Sequence, residues 1–593
     1  MLDAPMAVSS FAQAIESMAE RFGGAVAQIF VASGDPNGEV LETSFTELAR
    51  DIRARASALA KLGIGRRDRV SLMTPLGAHG AATVIGAMVA ATAAPLNYFL
   101  EAGALARLIE AAGSSALLVA RRFDDEPGAP AKVQALRELL PGIRIFAYGP
   151  GEDIAGSEDF DAAIALHTGL EWLPEHRPVG PGRVLALFHT GGTTGRPKLV
   201  PHTEAMYLAM LGASARAMGT MPGERMLGGL PLFHTSGALQ TGIVPLFNGC
   251  GVVIPSGAGF RGPGVIPNYW NFVGRFGVTV GGSVPTILAA LCNVQPTCDV
   301  STLKHVLCGA APLPRSTIEA IAALTGGASV IEGWGMTETC GFSVLNPQGR
   351  TRVGSVGLPF EGVEVQIRSL GDGGEELPAD TIGELVVRGD IVIRSYADER
   401  PESFTRDGWL RTGDLARKQE DGYLWIVGRA KDIIIRGGHN IDPGVIETPA
   451  YEHPAVELAA AVGRPDRYAG ELPILFVQLR AGSSADPEEL LEFVQARIHE
   501  RAAIPKAVHI LVTMPLSGPG KIHKVPLRYE AIRAVMQGEV DAALAKDHGV
   551  VVTVVEDELS GAAVALCGDA DNCLRSAELL GGYSYKIKLE QPV

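Results

Sequence analysis

Cysteine is scarce. Seven occur in 593 residues, at positions 250, 292, 298, 308, 340, 567 and 573, and none forms a CxxC pair. An odd, scattered set is not a disulfide framework, nor does it have the spacing of a structural zinc site. A reducing, cytoplasmic location is expected. Positive charge is in deficit as well: 51 Lys and Arg face 66 Asp and Glu, for a formal net charge of −15. That balance excludes a bulk nucleic-acid binder, but not a few cations focused on phosphates in a cleft. Long apolar runs are missing. The most apolar early stretch, Ala81 to Phe99, is rich in alanine and interrupted at Pro95. It reads as a buried helix against a sheet and not as a membrane span. Residues 1–10 lack a basic region followed by an apolar core, so no signal peptide is expected.

What is present is a globular composition, 47% apolar and 20% charged, in a chain too long for one ordinary core. Gly (72) and Pro (38) are spread without a short period and mark loops and turns. Ser44 to Leu62 reads as a surface helix, with Phe45, Leu48, Ala49, Ile52 and Ala56 on one face. Arg69–Pro75, Ala116–Ala120, Ile143–Tyr148 and Val278–Val284 read as strands between helices. This alternation predicts an α/β fold with mainly parallel sheets. After about residue 360, GVEVQIRS, GELVVRG and GYLWIVG are short strands that predict a β-rich subdomain ending near Arg429. HPAVELAAAVGRPD, ELPILFVQLR and the helical EELLEFVQARIHERA then make a small α/β unit. The predicted division is 1–430 for ATP and acyl substrate, 431–530 for a mobile C-terminal lid, and 531–593 for an extension. In the extension, Val-rich strands, a short helix in LRSAELLGG and an alternating YSYKIKLE carry no functional signal; packing and homo-oligomerisation are the alternatives.

Five segments carry chemistry. In FHTGGTTGRPKLVPH, Gly191, Gly192 and Gly195 permit close backbone approach, Thr190, Thr193 and Thr194 add hydroxyls, and Lys198 adds an ammonium. Such a loop can wrap phosphate oxygens. It is not the usual P-loop, because Arg196 and Pro197 separate Gly195 from Lys198 and Leu199 follows. In GWGMTETCG, Thr337 can donate to a phosphate and Glu338 can bind Mg²⁺. Trp334 can stack on a flat base or close a substrate pocket; a turn with a core tryptophan is the plainer reading. In WLRTGDL, Asp414 beside Gly413 is expected in a tight turn, where a carboxylate can accept from both ribose hydroxyls. IVGRAKDIIIRGGHNIDP places Arg429, Lys431 and Asp432 at the predicted boundary, with Gly437 and Gly438 admitting a slender ligand; a charged hairpin is the alternative. In PLSGPGKIHK, Lys521 sits in a Gly/Pro/Ser loop that can swing over a cleft.

In this order and spacing the five segments resemble the adenylate-forming superfamily of acyl- and aryl-CoA synthetases, luciferases and peptide-synthetase adenylation domains, over roughly residues 10 to 530. The resemblance implies a phosphate-binding loop at Thr190 to Lys198. It implies that Gly309, Ala310, Ala311 and Pro312 lie against adenine, and that Thr337 and Glu338 serve phosphate and Mg²⁺. Asp414 becomes the ribose carboxylate, with Arg429 on the nucleotide and Lys431 at a hinge. Lys521 becomes the lysine on the carboxylate and α-phosphate during adenylation. His234, in PLFHTSG, becomes the residue near the acyl site that rearranges between the two reactions. The sequence departs from the family pattern in having Gly191 for Ser, Leu199 for Gly, Trp334 for Tyr, Ser517 and Pro519 for Thr residues, and a tail beyond about residue 540.

The implied activity is an AMP-forming acyl-CoA ligase using ATP, Mg²⁺ and CoA. The absence of an obvious carrier domain favours free CoA. Transfer to a carrier-protein thiol and a non-catalytic nucleotide-binding homologue are the alternatives. The expected partners are a small carboxylic acid and CoA, with no nucleic acid and no integral membrane segment. Small and apolar residues around His234–Gly237 and Gly281–Thr286 predict an acid with a mainly apolar tail.

Overall fold

The computed structural model describes residues 8–167, 172, 180–190, 198–218, 220–311, 313–370, 374–437, 439–516, 522–544, 548–557, 562–583 and 585–590. Helix Phe45–Lys61 begins where the sequence placed it, and for a local reason. The Ser44 hydroxyl accepts from the Glu47 N–H at 3.2 Å, while the Glu47 carboxylate accepts from the Ser44 N–H at 2.8 Å, a reciprocal cap. The apolar stretch from Ala81 is helical only to Ala90, and Thr92–Pro95 is a strand. The predicted single helix is corrected here. The Arg183 guanidinium donates to the carbonyls of Met88, Val89 and Ala91 at 2.9, 2.7 and 3.1 Å, satisfying the orphan acceptors of the helix end.

The expected α/β architecture is present. One sheet has seven strands and another nine among the described residues. The seven-stranded sheet is parallel except at its last strand, Leu199–Thr203, which runs antiparallel to Val184–His189. The nine-stranded sheet has a parallel centre, including Val280–Ser283, His305–Cys308 and Ser329–Met336, and antiparallel edges. Strands Val363–Arg368, Gly383–Gly389, Leu410–Lys418 and Leu424–Arg429 form the β-rich subdomain as one antiparallel sheet.

A five-stranded sheet follows, built around Val456–Asp466 and Gly470–Leu479. Ile434, Ile446, Val456, Leu475 and Leu490 form a core of its own. Helix Pro487–Gln495 is shorter than predicted. After it the Arg497 N–H donates to the Val494 carbonyl at 3.1 Å, an i→i+3 bond that ends the α-helical ladder. Helix Lys524–Ala543 runs through residue 530. Its Leu527 and Ala531 pack with the five-stranded sheet, and its Ile532, Met536 and Val540 pack with Val552, Val564 and Leu566 of the tail. The tail is a three-stranded sheet with helix Ala570–Leu580. Among the described residues, no helix is long and apolar enough to cross a membrane.

Candidate active site

Strands Val184–His189 and Leu199–Thr203 hold the two ends of the Thr/Gly loop together. His189 pairs with Leu199, and the Thr190 N–H donates to the Lys198 carbonyl at 3.1 Å. Antiparallel strands can be joined this tightly, so Thr190 and Lys198 flank one mouth. Gly191, Gly192, Thr193, Thr194 and Gly195 lie outside the described residues.

Strand Ser329–Met336 delivers Trp334 and ends in a short turn, Thr337–Thr339. The turn needs its glycines. A Cβ on Gly335 would stand 1.9 Å from the Gly341 carbonyl oxygen, and Gly341 has φ +92°. His202 is fully buried, and its Nε2 donates to the Thr337 carbonyl at 2.8 Å. Burial lowers the His202 imidazole to about 4, so it stays neutral. Glu338 is buried, and its Oε1 accepts from the Tyr396 hydroxyl at 2.7 Å. Burial pushes the Glu338 carboxyl up; the Tyr396 hydroxyl and the charges of Lys198 and Arg429 oppose that shift. The Lys198 ammonium lies over the Tyr396 ring, 5.5 Å from its centroid.

Asp414 is not in a tight turn, as its neighbour Gly413 had suggested. It lies inside strand Leu410–Lys418 and pairs with Arg429. Gly413, at φ +68°, kinks the strand without ending it, because the ladder to Gly383–Gly389 runs across it with a register shift, pairing Leu410 and Arg411 before it and Leu415 and Ala416 after it. The Asp414 carboxylate is buried and doubly held. The Trp334 Nε1–H donates to Oδ2 at 2.8 Å, and Arg429 Nε lies 2.7 Å from Oδ1. Each carboxylate oxygen has two lone-pair sites, so acceptor capacity is left for hydroxyls.

Gly309 follows strand His305–Cys308, and a Cβ there would meet a Phe342 ring carbon at 2.5 Å and the Gly333 carbonyl oxygen at 2.8 Å. Ala310 turns through φ +74° and is exposed; Ala311 is half-buried. This bend therefore sits beside the strand that carries Trp334. His234 Nδ1 accepts from the Ser236 N–H at 3.2 Å and contacts its hydroxyl at 2.7 Å. That leaves the proton of a neutral ring on Nε2. Its neighbour Phe233 packs edge-on against Tyr98 and Phe99. His189 Nε2 accepts from the Asn97 N–H at 3.1 Å, and burial with the nearby His234 lowers His189 to about 4. The residue before the Thr/Gly loop thus neighbours His234. Gly281 and Gly282 do not open a pocket. A Cβ on Gly281 would meet the Tyr269 hydroxyl at 2.9 Å, and one on Gly282 a Thr241 methyl at 2.5 Å.

Trp334, Thr337, Glu338, Lys198, Asp414 and Arg429 are therefore brought to one place. Gly437 stands apart, in the turn between strands Ile434–Arg436 and His439–Ile441, at φ +55° and with open space around it. The charged hairpin is the local structure there. Pro312, Gly438, Lys521 and the Lys431 side chain lie outside the described residues. Asp432, next to Lys431, bonds Arg528 at 2.8 Å. Tyr396 and Asn97 had no sequence signal, and His189 and His202, which flank the Thr/Gly loop inside its segment, were given no role there. Their partners are distant in sequence, and only the spacing of a motif could have drawn attention to them.

Residues 15–397 match the AMP-binding enzyme family, and residues 445–521 match the AMP-binding enzyme C-terminal domain. A marinolic acid–CoA ligase of Pseudoalteromonas sp. (strain SANK 73390) is 32% identical over 569 residues, covering 92% of this chain and 85% of the relative. A sulfoacetate–CoA ligase of Cupriavidus necator is 32% identical over 490 residues, covering 82% and 92%. The solved structure of an anthranilate CoA ligase in complex with anthranoyl-AMP has a TM-score of 0.78 at 25% identity, covering 90% of this chain and 99% of that one. ATP-bound MatB from Rhodopseudomonas palustris has a TM-score of 0.75 at 25% identity, covering 87% and 98%. The chain belongs to the AMP-binding enzymes, among the ATP-dependent acid–thiol ligases of the adenylate-forming superfamily.

Proposed function

We propose that this enzyme joins a mainly apolar carboxylic acid to CoA through an acyl-adenylate, releasing AMP and pyrophosphate. The observation that carries the reading is the convergence of the doubly held Asp414 carboxylate with Glu338, Lys198 and Arg429. One end of that arrangement suits a ribose and the other a phosphate chain.

In the first step a carboxylate oxygen attacks the α-phosphorus of ATP, the bond to the β-phosphate bridging oxygen breaks, and pyrophosphate leaves. Lys198 offers charge to the phosphates, and Asp414 holds the ribose. Lys521 offsets negative charge at the α-phosphate as it develops. In the second step the CoA sulfur attacks the activated carbonyl carbon, the bond to AMP breaks, and the thiol proton passes to solvent.

Glu338 fits Mg²⁺ by donor chemistry. It is a hard carboxylate beside a phosphate-binding mouth, and a magnesium site needs only one or two carboxylates when phosphates supply other ligands. Among the described residues no group of three or more His, Cys, Asp or Glu could hold a metal unaided. The ion would neutralise phosphate charge.

The apolar tail is supported by the ring cluster of Tyr98, Phe99, Phe123 and Phe233 behind His234. The test is a panel of acids with ATP, Mg²⁺ and CoA, with products separated by chromatography. AMP and pyrophosphate formed with an apolar acid and CoA are expected. ADP and phosphate would reject the chemistry. Better turnover of dicarboxylates or amino acids would reject the acid class. ATP–pyrophosphate exchange without CoA-dependent AMP release would point to a carrier thiol.

A further inference from the structure

We propose that Tyr396 is the positioning residue of the phosphate subsite, orienting Glu338 for a metal ion with its hydroxyl and backing Lys198 for the nucleotide with its ring. The proposal rests on the reading of Glu338 and Lys198 given above.

The segment around Tyr396 is stitched to both arms of that subsite. On one side the Ile393 N–H donates to the Glu338 carbonyl at 3.0 Å. On the other the Ala397 N–H donates to the carbonyl of Leu199, the residue after Lys198, at 3.0 Å. Tyr396 stands between these two ties and is buried. Its hydroxyl donates to Glu338 Oε1 at 2.7 Å, and its ring carries the Lys198 ammonium 5.5 Å from the centroid. Phe404 packs edge-on against the same ring, with centroids 6.2 Å apart.

The choice of a tyrosine has a chemical reason. An arginine or lysine in this place would neutralise Glu338 and compete with a cation. A hydroxyl orients one oxygen and leaves the carboxylate its full charge. The phenol hydroxyl supplies the one proton this contact needs and brings no positive charge. The ring face attracts the ammonium through its quadrupole and occupies none of its N–H donors. Those donors stay available for phosphate oxygens.

The test is calorimetric titration with α,β-methylene-ATP, once with Mg²⁺ and once with EDTA, on the full chain. The wild type should bind more tightly with Mg²⁺. Tyr396→Phe keeps the ring and should bind metal-free nucleotide within about twofold of the wild type, while losing about tenfold of the metal-dependent tightening. Tyr396→Leu should in addition weaken metal-free binding about threefold. If Tyr396→Phe keeps the wild-type response to Mg²⁺, or loses the same factor in EDTA, the proposal is overturned, whether or not Tyr396→Leu folds. A wild-type chain that binds in neither buffer would overturn the nucleotide reading itself, and this proposal with it.

Discussion

The indole N–H of Trp334 and the carboxylate of Asp414 meet at 2.8 Å across 80 positions of chain. The bond links strand Ser329–Met336 of the nine-stranded sheet to the β-rich subdomain. A tryptophan here does more than present a flat ring, because its N–H also holds the Asp414 carboxylate in place. Asp414→Ala should raise the KM for ATP about 10- to 100-fold, the cost of one or two buried hydrogen bonds. Trp334→Phe keeps a ring but loses the donor, and should raise KM about 3- to 10-fold. The double variant should be no worse than Asp414→Ala, since the tryptophan acts through the carboxylate. Fully additive effects in the steady-state KM values would separate the two residues.

Gly309→Ala should both destabilise the fold and weaken nucleotide binding. The added carbon would stand 2.5 Å from the Phe342 ring and 2.8 Å from the Gly333 backbone oxygen. A backbone oxygen in a sheet cannot move aside cheaply. A loss of about 1–3 kcal/mol is expected, visible as a lower melting temperature. An unchanged melting curve with unchanged ATP affinity would show that the bend tolerates a side chain.

Stability should fall with pH through the window set by His202. Its folded value is lowered to about 4 by burial, against about 6.5 in an unfolded chain. Above about pH 6.5 neither state binds the proton and the contribution is whole. Between about 6.5 and 4 the unfolded chain binds it and the folded chain resists, so stability declines as pH drops. The share of this one group is at most on the order of 3 kcal/mol. His202→Gln should melt less steeply with falling pH than the wild type across that range. Parallel curves for the two proteins would remove His202 as a contributor.

Lys521→Ala should slow acyl-adenylate formation by about 10²- to 10³-fold, the effect of losing one placed charge in the transition state. Given synthetic acyl-adenylate and CoA, the same preparation should keep most of its thioester formation. Equal impairment of both half-reactions would reject a role in adenylation alone, and no impairment in either would remove the residue from the catalytic set.

The sequence by itself determined the elements and the family. Alternating strands and helices gave the parallel sheets, since each strand's apolar run must be covered on both faces. The helix after Ser44 is legible because it is set locally: its cap, Ser44 with Glu47, acts within three residues. The five segments and their spacing identified the superfamily before any of them could be seen together. What tertiary structure alone decided is how those segments are held. Gly413 beside Asp414 looks like a turn, yet pairing with Gly383–Gly389 on one side and Leu424–Arg429 on the other keeps Asp414 in a strand. Glycines 281 and 282 look like room for a ligand, but neighbouring helices fill that space with Tyr269 and Thr241. Tyr396 reaches Glu338 across 58 positions, and His202 reaches Thr337 across 135. No local pattern encodes such a contact, because a hydroxyl or an imidazole finds its partner only when separate elements close on one core.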